Sequence, residues 1–430
     1  MRLSGPRALD VAKPLLKLRG ELDHARARFA EILDPETHTK LDEAVVTYFA
    51  GPNSYTGEDI VEIAAHGSPV VLDLLVRQSL HRGARLANPG EFTERAFLSG
   101  RMDLTQAEAV RDLIESQTLY QARVAAQQLD GALSRRVRPI KQKLVELIAI
   151  LEAGIDFAED DVDVAPDAVI LDHLEAIAVP LADLDRSFEQ GRIVHSGLAL
   201  AIVGRPNVGK SSLFNRLVER ERAIVTAMPG TTRDLVTERV SIGGIPIELI
   251  DTAGLREASD EAELIGIRKS REALADADLV LIVLDASVPV REDEAELIAS
   301  LAGRRALIAA NKSDLNLQQS QLQIPYDLQL VHTSAITGEG LEELRTAILA
   351  LVHGPGIGND GMLTSVRHHQ AVTGAIASLD AARRALAEKV PHEMLLLDLY
   401  AALRHLDSLT GETTPDDILN LIFSTFCIGK

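Results

Sequence analysis

Hydrophobic and polar positions in the middle of the chain predict an α/β domain. The predicted elements are strands at 198–203, 279–284 and 306–310, a tight hairpin at Gly243-Gly244, and a last helix at 341–351. Helices separate the buried strands, which is the doubly wound arrangement of a parallel sheet. We therefore predict a domain of this kind at residues 197–352.

The first hundred residues show a different pattern. Strand-like runs at 45–49 and 60–64 and an apolar helix near 69–80 lie between turns rich in Gly, Pro and Asn, which predicts a small α+β domain over 1–100. The segments 51–59 and 88–97 combine turn residues with acids and aromatics. Simple turns and a small-ligand pocket explain these two segments equally well.

Helical periodicity dominates two further regions. Leucine, isoleucine and alanine recur at three- and four-residue steps through 103–151, and again through 366–388 and 393–408. The later helices are too few to bury their own apolar faces, so we expect them to pack on the helices of 103–191. The α/β domain would then be inserted into a helical domain made of 101–196 and 357–430. Within it, 151–191 is rich in acids, and we expect a solvent-facing helical region there.

Composition limits the function classes. The 430 residues carry a net charge of −20, which argues against coating nucleic acid by phosphate neutralisation. The basic run Arg135, Arg136, Arg138, Lys141 and Lys143 fits a solvated helix face better than an RNA contact. A single cysteine, Cys427, excludes an internal disulfide framework. With no apolar run near the roughly 18 residues of a membrane span and no signal-peptide pattern, we expect a cytoplasmic protein.

A phosphate-binding motif follows the strand at 198–203. Residues 204–211 read G-x-x-x-x-G-K-S, and a helix pattern comes directly after them. Glycines let backbone N–H groups surround phosphate oxygens, Lys210 reaches the outer phosphates, and Ser211 can hold magnesium. A glycine-rich turn before an ordinary helix does not explain this order of strand, motif and helix.

A second motif identifies the base. Asn311-Lys312-Ser313-Asp314 follows the strand at 306–310, at the sheet edge where such folds bind ligands. Asp314 is suited to accept hydrogen bonds from N1–H and the amino group of guanine, while Asn311 and Lys312 brace the loop. Ser334-Ala335 would close over the base. Together with Asp251-Thr252-Ala253-Gly254, which brings Asp251 to the magnesium, these motifs predict a GTPase.

The residues alone leave several alternatives for the groups that carry out hydrolysis. Leu255 follows the Gly254 motif, and it cannot orient the attacking water as a glutamine would. Several carboxylates in 256–263 remain alternatives. Arg205, Arg233 and Arg256 are candidate arginine fingers. Asn207 either coordinates a monovalent cation with carbonyls of the Thr226 loop or satisfies a loop N–H.

These motifs resemble the MnmE/TrmE family of tRNA-modifying GTPases. The resemblance extends over the whole chain and includes 52–59, 89–97, 103–109, the phosphate loop, the G-T-T-R-D at 230–234, 251–257 and the terminal F-C-I-G-K at 426–430. It implies an N-terminal folate-binding domain that homodimerises, a helical domain split by a G domain, and G domains that dimerise across potassium.

The resemblance also implies residue roles. The nucleotide contacts would be Asn207, Val208, Gly209, Lys210, Ser211, Ser212, Thr226, Ala227, Met228, Pro229, Gly230, Thr231, Thr232, Asp251, Thr252, Ala253, Gly254, Asn311, Lys312, Asp314, Ser334, Ala335 and Ile336. Magnesium would bind Ser211 and Thr232; potassium would bind Asn207, Thr226, Met228 and Thr231. Glu263 would orient the water. Arg2, Glu62, Arg101 and Lys430 would contact folate, with Cys427 near the one-carbon unit, either as a catalytic thiol or as a packing residue.

Partners follow from the same resemblance. Family members work with the flavoprotein MnmG, in a heterotetramer, on the wobble uridine of certain tRNAs, and they add an aminomethyl-type group at carbon 5 with a methylenetetrahydrofolate donor; 5-formyltetrahydrofolate binds the N-terminal domain. They usually begin about twenty residues upstream of the match to Met1, with a strand and a glycine-rich turn, so we expect weak folate binding from this chain. The alternative is a stand-alone GTPase of ribosome assembly, which would need a basic RNA-binding module.

Overall fold

A computed structural model describes residues 1–34, 37–156, 166–219, 237–251, 277–301, 303–315, 328–353 and 361–411. Contacts divide these residues into two compact units. One comprises 1–111, 128–135 and the described part of the stretch from Leu403 onwards, and the other comprises Asp112–Gln127 and the described part of Arg136–Ala402. The predicted domain boundaries remain predictions.

The first unit contains a five-stranded antiparallel sheet. Its strands are β1 Arg2–Ser4, β2 Leu16–Leu18, β3 Ala27–Leu33, β4 Lys40–Phe49 and β5 Ile60–Ala65, in the order β1-β5-β4-β3-β2. The helices α1 Ala8–Ala12, α2 Pro69–His81 and α3 Glu91–Leu98 follow or separate them. One sheet face contributes Ala30, Ile32, Val46 and Ile63 to a core that Leu75 of α2 completes. Burial of this face makes α2 and the sheet mutually dependent.

The predicted strands at 45–49 and 60–64 are confirmed within β4 and β5, but the pattern did not predict β1, β2 or β3. β1 and β2 have three residues each, too few to show a period of two. β3 was missed because Arg28 and Glu31, three positions apart, interrupt the alternation of its apolar residues.

The second unit contains a six-stranded sheet with helices around it. Its strands are β6 Leu198–Val203, β7 Thr237–Ile242, β8 Ile245–Asp251, β9 Leu279–Asp285, β10 Ala306–Asn311 and β11 Gln329–His332, in the order β11-β10-β9-β6-β8-β7. All neighbours are parallel except β7 and β8. Every residue of β10 is buried, as the uninterrupted apolar run predicts for a central strand.

Nine helices are described after α3. They are α4 Leu104–Glu115, α5 Leu119–Leu129, α6 Ala132–Asp156, α7 Asp167–Ser196, α8 Lys210–Glu219, α9 Glu292–Ser300, α10 Leu341–His353, α11 Val366–Ala387 and α12 His392–Thr410. α11 packs along α7, where the rings of Phe188 and His369 stack with centroids 4.0 Å apart and Arg383 pairs with Glu175 at 2.6 Å. The late helix thus packs on the earlier one, as the apolar surface of 366–388 predicted.

Two expectations about the helical region need correction. α7 does not simply face solvent: Ile170, Leu174 and Ile177 are fully buried, because an apolar stripe at three- and four-residue spacing runs through the acids. Arg136 does not lie on a solvated face either. Its Nη1 donates to the carbonyl oxygen of Gly361 over 3.1 Å, and burial lowers the pKa of its guanidinium.

The hairpin between β7 and β8 requires its two glycines. Gly243 and Gly244 have φ of +60° and +83°, the left-handed region that a two-residue hairpin of this type needs. A Cβ on Gly244 would lie 2.7 Å from Cβ of Tyr120, and one on Gly243 would lie 2.6 Å from a methyl of Leu349. The two turn residues therefore pack against Tyr120 of α5 and Leu349 of α10, and neither position has room for a side chain.

Candidate nucleotide site

The phosphate loop joins β6 to α8, as predicted. Gly204, Asn207 and Gly209 all have positive φ, which curls the loop so that its N–H groups face one concavity. A Cβ on Gly204 would lie 2.3 Å from the carbonyl oxygen of Val283, so only glycine fits there. Nζ of Lys210 donates to the carbonyl oxygens of Gly204 and Arg205 over 2.6 and 2.7 Å. The side chain of Lys210 therefore lies across the phosphate loop and is held there by these two carbonyl oxygens.

Asn311 ties the base-recognition segment to the phosphate loop. Its Nδ2 donates to the carbonyl oxygen of Val208 over 2.9 Å, and its Oδ1 accepts from the N–H of Ala335 over 3.1 Å. A Cβ on Gly209 would lie 2.2 Å from Nδ2, which explains the second glycine of the motif. One buried amide therefore fixes both loops relative to each other.

Asp314 and Ser334 lie together at the same sheet edge. Oγ of Ser334 donates to Oδ1 of Asp314 over 2.6 Å and accepts from the N–H of Thr337 over 3.1 Å. The carboxylate is oriented by a fully buried hydroxyl, and it retains acceptor capacity for a pair of donors. The arrangement is compatible with the predicted recognition of guanine by Asp314.

Asp285 belongs to the site but was missed in the sequence. It lies at the end of β9 opposite Asn311 in register, and its Oδ2 accepts from Nζ of Lys312 over 2.6 Å. Burial alone would raise the pKa of Asp285, but the hydrogen bonds from Lys312 and Ser287 hold that pKa below its usual value. The signal that could have identified Asp285 in the sequence is a carboxylate at the end of a buried strand that neighbours the N-K-x-D strand. The pair keeps Lys312, whose φ is +66°, in place.

Asp251 reaches the same edge of the sheet through β8. Its backbone is opposite Ile202 in the parallel pairing of β6 and β8, directly before the phosphate loop. Arg205, a candidate arginine finger, is paired with Asp293 at 3.3 Å. Ser211 and Ser212 are exposed in the first turn of α8, and Asn207 is exposed in the loop. Asn207 and Ser211 are therefore accessible to cations bound with a nucleotide.

The remaining predicted residues lie outside the described part of the chain. They are Thr226, Ala227, Met228, Pro229, Gly230, Thr231, Thr232, Arg233, Thr252, Ala253, Gly254, Arg256, Glu263, Cys427 and Lys430. Ile336 is exposed next to buried Ala335.

In the first unit, Arg2 and Glu62 are brought together. They are opposite in the pairing of β1 and β5, and Nε of Arg2 is 2.7 Å from Oε1 of Glu62. Arg101 lies in the turn after α3. Arg2 also lines a cavity of about 630 Å³, whose wall includes Phe92 and Arg95 of the turn-rich segment 88–97. That segment therefore does contribute to a cavity.

An ionic cluster centred on Glu91 supports this cavity wall. Oε2 of Glu91 accepts from Nη1 of Arg85 over 2.7 Å and from the N–H of Asn88 over 2.8 Å, and Oε1 accepts from Nη2 of Arg95 over 2.7 Å. Hydrogen bonding to Arg85 is the largest cause that lowers the pKa of Glu91 to about 2. Nη1 of Arg95 also pairs with Glu58 at 2.5 Å. The cluster holds α3 against the loop before it.

Among the helices of the described ranges, none combines the length and apolar character needed to cross a membrane.

Among solved structures, the G domain of the T. maritima FeoB iron transporter is 32% identical over 36% of this chain and 98% of its own, with a TM-score of 0.27.

Two protein-family models match this chain. Residues 1–101 match the model of the GTP-binding protein TrmE N-terminus, and residues 104–427 match that of the MnmE helical domain. The tRNA modification GTPase MnmE of Koribacter versatilis is 61% identical over 435 residues, covering 100% of this chain and 95% of the relative. That of Aquifex aeolicus is 41% identical over 431 residues, covering 100% and 96%. The chain therefore belongs to the MnmE/TrmE family and is a tRNA modification GTPase, a GTP hydrolase that acts in tRNA modification.

Proposed function

We propose that this GTPase takes part in modifying the wobble uridine of tRNAs at carbon 5, by addition of an aminomethyl- or carboxymethylaminomethyl-type group. The observation that carries this proposal is the joining of the phosphate loop and the guanine-recognition segment by Asn311, in a chain that matches named tRNA modification GTPases over its whole length. Lys210 binds the outer phosphates and Asp314 reads the base. Ser211 and Thr232 would hold magnesium, which would supply positive charge to the phosphates when bound.

We propose that potassium activates hydrolysis. An activating cation would neutralise charge that develops at the bridging oxygen, a role otherwise filled by an arginine. Arg205 is engaged by Asp293, which weakens it as a finger, while Asn207 is exposed within the phosphate loop. The amide oxygen of Asn207 would act together with Thr226, Met228 and Thr231, and Glu263 would orient the water.

We propose that the N-terminal unit binds 5-formyltetrahydrofolate and the one-carbon donor methylenetetrahydrofolate. Arg2 and Glu62 form an ion pair on neighbouring strands, and Arg2 lines the cavity beside them. Cations suit the carboxylates of a folate, and Glu62 suits the amino groups of its pterin. Arg101 and Lys430 would complete the contacts, and Cys427 would lie near the one-carbon unit.

The partners in this proposal are tRNA, a second copy of the chain and the flavoprotein MnmG in a heterotetramer, all in the cytoplasm. The net charge of −20 supports a partner that supplies the basic surface for tRNA. Deletion of the gene should remove the wobble-uridine group, as measured by mass spectrometry of total tRNA. Normal tRNA together with a ribosome-assembly defect would favour the alternative of a ribosome-assembly GTPase.

The role of Cys427 has its own test in cells. Cys427→Ser should abolish the tRNA modification but leave GTP hydrolysis intact, because the nucleotide motifs are complete without it. Full modification by this variant would identify the cysteine as a packing residue, which is common for cysteine.

A further inference from the structure

Arg216 connects the helix after the phosphate loop to the loop that closes the base site. Its Nε donates to the carbonyl oxygen of Ala335 over 3.0 Å, and its Nη2 donates to that of Ile336 over 2.8 Å. α8 begins at Lys210, so one helix carries both the phosphate-binding lysine and this arginine. Because a guanidinium is planar and its N–H groups have fixed directions, it holds two successive carbonyls in one orientation.

Peptide geometry extends this hold to the N–H groups of the loop. In a planar trans peptide the N–H points opposite to the C=O of the same unit. The bond from Arg216 to the Ala335 carbonyl therefore turns the N–H of Ile336 away from α8. In the same way, the bond to the Ile336 carbonyl turns the N–H of Thr337 towards Ser334, whose Oγ accepts from it over 3.1 Å.

Guanine needs a hydrogen-bond donor that Asp314 cannot supply. An ionised carboxylate only accepts, so it reads the N1–H and the 2-amino group and leaves the 6-oxo group to another residue. The loop after Ser334 lies beside Asp314, since Ser334 bonds directly to that carboxylate, and its backbone N–H groups are candidate donors. A backbone N–H group of this loop can donate to the 6-oxo group of guanine only if its peptide plane is held in the right orientation.

We infer that Arg216 is a positioning residue for base specificity: it orients the Ala335–Ile336 peptide so that the N–H of this unit faces the 6-oxo group of guanine. The inference rests on the proposed recognition of guanine by Asp314. The sequence did not indicate it, because Arg216 and Ile336 are separated by 120 residues.

The test measures the binding of three nucleotides to the full chain by calorimetry. GDP carries the 6-oxo and 2-amino groups, 6-thio-GDP replaces the 6-oxo oxygen by a weak acceptor, and IDP lacks the 2-amino group. The unaltered protein should prefer GDP to 6-thio-GDP by about tenfold, the value of one hydrogen bond. In Arg216→Ala this ratio should fall towards one, while the ratio of IDP to GDP dissociation constants stays unchanged because Asp314 is intact.

Arg216→Lys keeps the charge but not the fork, so its 6-thio-GDP to GDP ratio should be intermediate. This variant also tests the inference if the alanine variant does not fold. Arg304→Ala is the matched control, because Nη2 of Arg304 also donates to a backbone carbonyl, that of Ala277, over 3.1 Å; both ratios should be unchanged in it. Equal weakening of all three nucleotides in the Arg216 variants, or no weakening, would overturn the inference. An unaltered protein that binds IDP as tightly as GDP would instead refute recognition by Asp314.

Discussion

The side-chain amide of Asn311 donates to the carbonyl oxygen of Val208 over 2.9 Å and so joins the base-recognition strand to the phosphate loop. Asn311 is 2% exposed, and its oxygen also accepts from the N–H of Ala335. Asn311→Ala leaves two buried backbone groups unpaired. We expect a loss of about 2–4 kcal/mol in the free energy of unfolding and at least about tenfold weaker GDP binding. Urea denaturation and calorimetry measure the two effects.

Asn215→Ala is the control for this variant, because Asn215 is an exposed asparagine on α8. It should change neither quantity. GDP binding that is unaltered in Asn311→Ala would show that the two loops keep their positions without the shared amide.

The sequence predicted the parts of the site that depend on local order along the chain. β6 and β10 are uninterrupted apolar runs followed directly by their motifs, so each strand and the loop after it could be placed together. Asp285 and Arg216 could not be deduced in this way. Each acts on a residue far along the chain, and only the pairing of strands or the direction of α8 brings the partners together.

The fold of the first unit also has features that the local sequence pattern did not reveal. β3 carries Arg28 and Glu31 three positions apart, which interrupts the alternation that marks a half-buried strand, so its pattern resembles a polar loop. The cluster around Glu91 joins Arg85, before α3, to Arg95 within it. Turn chemistry explained the glycine and proline of segment 88–97, but it gave no reason for the acid.

Hydrolysis should depend on potassium through Asn207. We expect sodium at equal ionic strength to substitute poorly, because fixed carbonyls set the size of the site. Asn207→Ala should still bind GDP but lose the response to potassium. Steady-state phosphate release in the two salts measures this, and equal rates of the unaltered protein in both would contradict it.

Glu263 should act mainly in the transition state of hydrolysis. We expect Glu263→Ala to lower kcat by about 10² or more with little change in GTP affinity, because Leu255 cannot orient the water. Single-turnover hydrolysis and a binding titration on the same variant separate the two quantities. Glu257→Ala is the matched control; a crippled Glu257 variant beside a normal Glu263 variant would reverse the assignment.

The ion pairs of Glu91 should make the N-terminal unit sensitive to acid. The carboxyl has a pKa of about 2 in the folded chain against an ordinary value of 4.5, so its contribution is fully present above about pH 5 and is lost as pH falls towards 2. The side chain is 8% exposed, and we expect Glu91→Gln to cost about 2 kcal/mol at pH 7. Urea denaturation of this variant and the unaltered protein between pH 7 and pH 3 measures the difference.

That difference should shrink as pH falls, because protonation removes from the unaltered protein the same charge that the substitution removes at every pH. Glu94→Gln, on the same helix, is the control and should show little difference at any pH. A Glu91→Gln penalty that stays constant from pH 7 to pH 3 would mean that Glu91 stabilises α3 through packing or neutral hydrogen bonds. In that case Arg85 and Arg95 would not be the source of its low pKa.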